Sequence, residues 1–442
     1  MSRSFFLACT IYVLLIASLI SLNGNLLVLV VPVLSFLLYG WLSNPTKVDL
    51  VLVRTLSAAR PMDDETVEVR VTITNNGSTL NEVLLEDQLP GGLVLKSGSP
   101  RHLVSLKAGA EFKIQYRIYG RRGIYEFGPM KATTTDALGL IPRSVLLNAV
   151  GKLTVYPKVL PLGYIAIRPR RTRIYPGSIP SRSGGSGLEF FGVRDFQPGD
   201  PPRVINWRST ARHTFNHPEI GYPGGNANIR LKFISNQFQQ ERVADVGVVL
   251  DGRELTNLMA GHSMFEKSVM ATAALADAFL KQGNRVGLLV YGQFLDWTFP
   301  GYGKLQKERI LYSLACARLG ASSVFAGLDG ISTRMFPAGS QIILVSPLAA
   351  QDWKILVRLR AHGYQVLVLS PDPLAFEYAW LSGTAEMELA LKMARLERRL
   401  LIRRLQRAGI QVIEWDVSKP FEQVVRPQLM RYRPAIHPGV TI

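Results

Sequence analysis

Apolar positions recur along this chain in three different rhythms. Residues 5–22, FFLACTIYVLLIASLISL, carry no charge, and after the polar break Asn23-Gly24-Asn25 residues 26–42 repeat the pattern. Each run is close to the roughly 20 residues needed to cross about 30 Å of hydrocarbon, so the pattern predicts two transmembrane helices joined as a hairpin. We assign it residues 1–46. A cleavable signal peptide is the rival reading, because one arginine precedes an apolar run. Two consecutive runs without a small-residue cleavage site favour the hairpin.

Past the hairpin the period falls to two. In VEVRVTITNNGS, Val67, Val69, Val71 and Ile73 share one face and Glu68, Arg70, Thr72 and Thr74 the other. The alternation returns in EFKIQYRIYG at Phe112, Ile114, Tyr116 and Ile118, with Asn-Gly, Pro-Gly-Gly and Arg-Gly turns between the runs. Half-buried strands at this spacing predict an all-β immunoglobulin-like sandwich of about seven strands. Its boundaries are placed at residues 47–160.

From 161 to 240 the chain turns to Pro, Gly, Ser and Arg, as in RPRRTRIYPGSIPSRSGGSG, which predicts a flexible connector. Its glycines form no phosphate loop, since no G-x-x-x-x-G-K-[ST] occurs and SGGSG follows no apolar strand. Beyond 241 short apolar runs, DVGVVLD, RVGLLVY, QIILVSP, YQVLVLSP and IQVIEWDV, alternate with segments of helical period. One such segment places Phe265, Val269, Thr272, Ala276, Phe279 and Leu280 on one stripe and closes at Gly283. That alternation predicts an α/β doubly wound sheet covered on both faces over 241–442. FLDWTF, after the Tyr291-Gly292-Gln293 turn, is expected as an antiparallel edge strand.

Composition changes the picture in three ways. A hydrophobic content of 47% supplies apolar surface for separate cores, and two distant cysteines, Cys9 and Cys316, build neither a disulfide framework nor a thiolate metal site. The formal net charge is +18, and Arg3 is the only charged residue before Lys47, so nearly all the excess sits on the soluble part. Such a body is drawn to an anionic membrane lipid surface, with nucleic acid the less economical partner. Arg3 precedes the first apolar run and Lys47 and Arg54 follow the second, while the turn is uncharged; both termini and the soluble domains are therefore expected on the cytoplasmic side of a two-pass cell-membrane anchor.

In a doubly wound sheet the binding crevice lies at the carboxyl ends of the strands. Asp251 ends the first strand there, and at this point the chain resembles a von Willebrand factor type A domain, whose first strand ends in Asp-x-Ser-x-Ser and holds a divalent cation at a metal-ion-dependent adhesion site. Upstream, Pro198-Gly199-Asp200 followed by Arg203, Trp207, Ala211 and Arg212 resembles the signature of the family catalogued as domain of unknown function fifty-eight; the motif spans residues 187–212. GSGLEFFGVRDF before it and YGRRGIYEFGPMKATTTDALGL in the sandwich fit the same family. The resemblance implies a membrane-attached scaffold of this domain order, linked with MoxR-type AAA ATPases, without an assigned chemistry.

The adhesion site departs from the family's pattern. The motif reads Asp251-Gly252-Arg253-Glu254-Leu255, with an arginine and a leucine in the two serine positions. Mg²⁺ asks for oxygen ligands, and a guanidinium offers only donors and positive charge. Ser322 or Ser323 stands in for the family's threonine, and Pro347 follows Ser346 where the later aspartate is expected. Three readings follow. Asp251, Glu254 and Ser322 hold a metal; or the Arg253 charge takes the vacated cation position and pairs with Asp251; or Asp251 caps the following turn. The last two are favoured, so no cofactor is expected, with Mg²⁺ the alternative.

The Pro-Gly-Asp stretch is read as a brace. Pro198-Gly199 suits the centre of a type II turn, Asp200 is expected to accept from a helix start and Pro201 to open that helix. Val204, Trp207 and Ala211 would then form an apolar stripe docked on a neighbour, with Arg208 and Arg212 beside it reaching carboxylates; the binding alternative has Arg194, Arg203, Arg208 and Arg212 on a phosphate, an acidic peptide or a lipid headgroup. His213 and His217 lack a third ligand. In LERRLLIRRLQRAG, Leu396, Leu400 and Leu405 are expected to face the sheet, with Arg398, Arg399, Arg403, Arg404 and Arg407 around the remaining surface. No nucleophile lies beside a base, so the expected function is a non-catalytic membrane scaffold, not an enzyme, that binds a protein partner such as a MoxR-type ATPase. A metal-dependent adhesion receptor is the alternative, and a basic surface for anionic lipid or nucleic acid a further one.

Overall fold

The computed structural model describes residues 3–22, 24–42, 48–135, 138, 142–163, 165, 172–216, 233–257, 264–292, 294–320, 328, 331, 335–378 and 385–430. The chain divides into two compact units, Met1–Lys158 and Val159–Ile442.

The first unit begins with two apolar helices, α1 (Arg3–Ser21) and α2 (Asn25–Leu42). The second is long and apolar enough to cross a membrane, and Phe5–Ser21 is a shorter apolar helix. Both expose most of their large side chains, Leu19, Ile20, Val28 and Trp41 among them.

Among the described residues the β-domain of this unit holds ten strands rather than about seven, because several runs are broken by turns into short pieces. One sheet runs β1 (Leu50–Leu56), β2 (Val67–Asn75), β6 (Glu111–Gly120), β4 (Leu93–Gly98); a second runs β5 (Arg101–Leu106), β3 (Leu80–Glu86), β8 (Met130–Thr134), β9 (Arg143–Leu147). β7 (Gly123–Phe127) and β10 (Gly151–Val155) pair separately, and every pairing is antiparallel. Val67, Val69, Val71, Ile73, Ile114 and Ile118 from one sheet share a buried core with Leu80, Val83, Leu85 and Met130 from the other, so the domain is an immunoglobulin-like sandwich in the broad sense. Inside it the Arg54 guanidinium meets Asp87 at 2.6 Å, and the Tyr116 hydroxyl donates to the other carboxylate oxygen at 2.7 Å. Burial, then the bond to Asp87, pushes the Tyr116 phenol above its ordinary range. Arg54 therefore belongs to the sandwich core, where it also lies over the Phe127 ring, and not to the flank of the second apolar run.

The second unit is built on a sheet in the order β14 (Leu295–Gly301), β13 (Arg285–Tyr291), β12 (Ile234–Asp251), β15 (Gln341–Val345), β16 (Gln365–Pro371), β17 (Gln411–Trp415). The strands run parallel except β14, which returns antiparallel along β13 as the FLDWTF run suggested. Strand order reverses at β12, which places a crevice at its carboxyl end. One face buries Val249, Leu344, Val368 and Val412 with α6 (Trp353–Ala361) and α8 (Ala385–Arg407), through Leu356, Leu359, Ile402 and Leu405. The alternate residues Val248, Leu250, Leu288 and Ile343 point the other way and are equally buried. Helix α4 (Met264–Lys281) contacts β12, β13 and β15. A Cβ at Gly247 would stand 2.6 Å from the Phe336 ring, so the central strand is bare where that ring crosses it.

Two expectations need correction. The stretch read as a flexible connector contains a 24-residue strand, β11 (Thr172–Asp195), paired antiparallel with the first half of β12 through several register shifts. Backbone bonding to β12 holds this Gly- and Ser-rich run extended, although its side chains signal no strand. Residues 159–240 accordingly belong to the second unit. In α8, Leu405 is buried as expected, but Leu396 and Leu400 are 58% and 47% exposed and Arg398 is turned inward. The cause is the strand ends: Arg398 donates to the Pro347 carbonyl at 2.8 Å, to Ser370 Oγ at 2.9 Å and to the Pro371 carbonyl at 3.2 Å. Burial, offset in part by Asp372 and Glu414, pulls the Arg398 guanidinium below its ordinary value.

Candidate functional site

Asp251 is the last residue of β12 and is fully buried. The backbone beyond it is held on both sides: the Gly252 N–H donates to the Tyr291 carbonyl at 2.6 Å, and Gly252 and Glu254 exchange bonds with Gly320 at 3.1 and 3.2 Å. Gly252 and Gly292 approach so closely that a Cβ at Gly292 would lie 2.8 Å from the Gly252 oxygen. This pinned turn folds the Arg253 side chain back under the sheet end.

Arg253 Nε and Nη2 donate to the two Asp251 oxygens at 2.9 and 2.7 Å, a bidentate pair. Nη1 and Nη2 donate to the two oxygens of Asp352 at 3.1 and 2.7 Å. Asp251, Arg253 and Asp352 are 0%, 3% and 2% exposed, so three charges are stacked in the interior with a net charge of about −1. Neutral donors complete the set. Ser346 Oγ and Thr256 Oγ1 reach the second Asp251 oxygen at 2.6 and 3.0 Å, the Arg253 N–H the first at 3.0 Å, and the Ala349 N–H reaches Asp352 at 2.8 Å. Burial works against the Arg253 charge, but the bonds to Asp251 and then Asp352 outweigh it and hold the guanidinium above its ordinary value.

The reading in which Arg253 pairs with Asp251 thus matches the geometry. In the set Asp251, Glu254 and Ser322, Asp251 is buried and Glu254 is exposed; Ser322 and Ser323 lie outside the described residues. Leu255 sits in the short 3-10 turn Glu254–Thr256. Among the described residues no group of three or more His, Cys, Asp or Glu is placed to hold a metal ion. Ser346 and Pro347 are buried beside the site, and Asp352, further along the same loop, supplies a second carboxylate to Arg253. Asp352, Thr256 and Asn257 were not found from the sequence. Asp352 stands just before α6, where an aspartate reads as an ordinary helix cap, yet its side chain makes no cap bond and turns to Arg253 instead. Leu348, at φ 70°, bends the loop so that both Ser346 and Asp352 face inward.

The brace is only partly as expected. Gln197-Pro198-Gly199-Asp200 closes with the Asp200 N–H on the Gln197 carbonyl at 3.0 Å, and Gly199 has φ 106°, which fits the type II turn. Asp200 accepts from Arg194 at 2.7 Å, from the Gln197 N–H at 3.0 Å and from Ser235 at 3.3 Å. These bonds, Arg194 first, hold its carboxyl below the ordinary value. It caps no helix. A 3-10 turn spans Pro202–Val204, and α3 (Trp207–Asn216) starts later, capped by Asn206 Oδ1 on the Ser209 N–H at 2.9 Å. Because the helix begins at Trp207, the stripe Val204, Trp207, Ala211 never forms. Trp207 is 65% exposed, edge-on to Phe233, and Ala211 is exposed. Thr210 makes the inward contact, accepting the Ile234 N–H at 3.0 Å. Arg203, Arg208 and Arg212 are exposed and, among the described residues, reach no carboxylate. The His213 side chain and His217 lie outside the described residues.

No family model matches the chain. It is 24% identical over 271 residues to the uncharacterized protein YeaD of Bacillus subtilis (strain 168), covering 59% of this chain and 61% of that protein, and so spans less than two thirds of its relative. Among solved structures, it resembles the CARDB domain of the PF1109 protein from Pyrococcus furiosus at 18% identity and a TM-score of 0.19, over 25% of this chain and 90% of that one. PapD-like domain 7 of human CEP192 is similar at 13% identity and a TM-score of 0.17, over 24% and 86%.

Proposed function

We propose that this chain is a non-catalytic, membrane-anchored scaffold whose second unit is a type A-like domain with a cation-free strand-end site for a protein partner. The observation that carries the reading is the Arg253 guanidinium bonded to Asp251 and Asp352 where that fold would hold its ion. The strand order, with one antiparallel strand beside β13, supports the type A assignment. Every carboxylate oxygen there has a donor, and the hydroxyls that meet Asp251, Ser346 and Thr256, are buried with it, so among the described residues the site offers no open coordination position and no exposed nucleophile. Recognition falls to the rim, where Glu254 is exposed. The anchor is the α1–α2 pair crossing twice with both termini cytoplasmic, an orientation that rests on Arg3 and Lys47. The resemblance to the family of unknown function fifty-eight makes a MoxR-type AAA ATPase the partner to test.

The test uses the full chain in nanodiscs and a purified MoxR-type ATPase. Binding should persist in EDTA and weaken in Glu254→Lys. Titration of Mg²⁺ or Mn²⁺ should give no heat that Asp251→Ala removes. A cation-dependent heat abolished by Asp251→Ala would replace this reading with a metal-dependent adhesion receptor.

A further inference from the structure

Helix α8 is held in one orientation by its inner side. Leu391, Ile402 and Leu405 are buried, and Arg398 is tied to the ends of β15 and β16 by three bonds. Fixing that side fixes the other. Leu389, Met393, Leu396 and Leu400 follow at spacings of four, three and four residues, one stripe on the outer surface, and are 61%, 60%, 58% and 47% exposed. Four large apolar side chains in a row on an outward face mark a contact surface.

The charges beside the stripe select what covers it. Lys392, Arg399 and Arg403 are exposed and, at helical spacing, form a basic row along one flank. Glu386, Glu397 and the exposed Arg404, over the Trp353 ring, lie on the opposite flank, and the exposed Arg407 follows in line with the apolar ridge at its C-terminal end. Long basic side chains bordering an apolar stripe suit a helix lying in a bilayer interface, with the aliphatic stems along the apolar residues and the charges at the headgroups. The same chain carries an apolar helix long enough to cross a membrane and a net charge of +18, so a bilayer is always at hand.

We propose that α8 lies in the interface of an anionic membrane, with Leu389, Met393, Leu396 and Leu400 turned toward the acyl chains and Lys392, Arg399 and Arg403 on phosphate headgroups. This goes beyond the partner site and rests on the membrane-anchored reading. The contact holds the α/β unit on the leaflet and leaves the ends of its strands to a second protein.

The full chain, with Cys9 and Cys316 replaced by alanine, is reconstituted into nanodiscs with an environment-sensitive fluorophore on Met393→Cys or, as a control, on Leu34→Cys in α2. In discs mixing phosphatidylglycerol with phosphatidylcholine, brominated acyl chains should quench both probes. In phosphatidylcholine alone they should quench the α2 probe only. Arg399→Gln with Arg403→Gln should lower the bound-to-free ratio of the Met393 probe about 25-fold, at about fivefold per basic residue. A Met393 probe that stays aqueous in anionic discs while the Leu34 probe is quenched overturns the inference and leaves the anchor standing. Loss of quenching at both positions overturns the anchor as well. Equal quenching in neutral discs, or shielding that appears only when an acidic protein is added, also overturns it.

Discussion

Arg253→Ala would leave Asp251 and Asp352 facing each other in the interior without the guanidinium that joins them. Four side-chain bonds of 2.7–3.1 Å disappear, and the buried charge goes from about −1 to about −2. The donors that remain, Ser346, Thr256 and two backbone N–H groups, are neutral. Removing one partner of a buried ion pair costs about 3–5 kcal/mol. For a domain of this size that is a fall in melting temperature of roughly 6–20 °C. Five of the six tryptophans, all but Trp41, lie beyond residue 200, so intrinsic fluorescence during urea or thermal unfolding reports on the α/β unit. Arg253→Ala with Asp352→Ala should recover part of the loss, because one of the two opposed charges goes with it. Millimolar Mg²⁺ should raise the melting point of Arg253→Ala and leave the parent unchanged, since ligand that binds only the folded form stabilises it by mass action. A single-variant loss below about 1 kcal/mol would refute the view that Arg253 serves as the internal counterion, because an exposed pair already accounts for that much.

Three further outcomes are expected. Burial raises the Asp277 carboxyl, but bonds from Lys281 at 2.8 Å and Lys307 at 2.6 Å outweigh it and hold the pKa below the ordinary 3.8. A depressed carboxylate adds stability above its unfolded pKa and loses it as pH falls through the folded one, so Asp277→Asn should cost about 1–2 kcal/mol at neutral pH and progressively less in acid, read by urea titration at several pH values. Tyr116→Phe removes the hydroxyl bonded to Asp87 and should cost the sandwich about 1.5–3 kcal/mol, seen as faster hydrogen exchange of β2 and β6 amides. At Gly199 a Cβ meets nothing within 4 Å, so Gly199→Ala tests backbone conformation alone; with φ 106° it should lower stability by about 1–2 kcal/mol in the fluorescence assay.

Elements whose side chains answer to a single neighbour were legible in the sequence. The alternation at Val67, Val69, Val71 and Ile73 is the burial pattern of β2, and RVGLLVY is β13 residue for residue. The helix that was to close at Gly283 ends at Lys281, with Gly283 at φ 78°. β11 was missed because its residues satisfy no periodicity; its partner strand sets the conformation, and the register shifts show how loosely side chains specify it. The start of α3 was misplaced because Asp200 and Asn206 are equally good caps on paper, and only the turn bond from the Gln197 N–H shows that the Asp200 carboxylate is already engaged.

The two arginines at the strand ends show why the site was half visible. Arg253 sits two residues from Asp251, so an unlike pair could be inferred from the replaced serine alone. Its second partner, Asp352, lies 99 residues away, and no local pattern sets it apart from a helix cap. Arg398 is the converse case: by composition it belongs with four other arginines of its segment, and it is buried because the carbonyls of Pro347 and Pro371 end their strands in need of donors. Once Arg398 turns inward, the helix must rotate Leu396 and Leu400 outward, since residues two apart cannot share a face. The exposed stripe of α8 is therefore a consequence of unsatisfied backbone at the sheet end, and a replacement that keeps three donors at similar reach, such as Arg398→Lys, should leave the stripe where it is while Arg398→Leu should let the helix roll. Fluorophores on Met393→Cys read the difference: faster quenching by aqueous iodide in the parent and Arg398→Lys than in Arg398→Leu supports this origin, and equal quenching in all three refutes it.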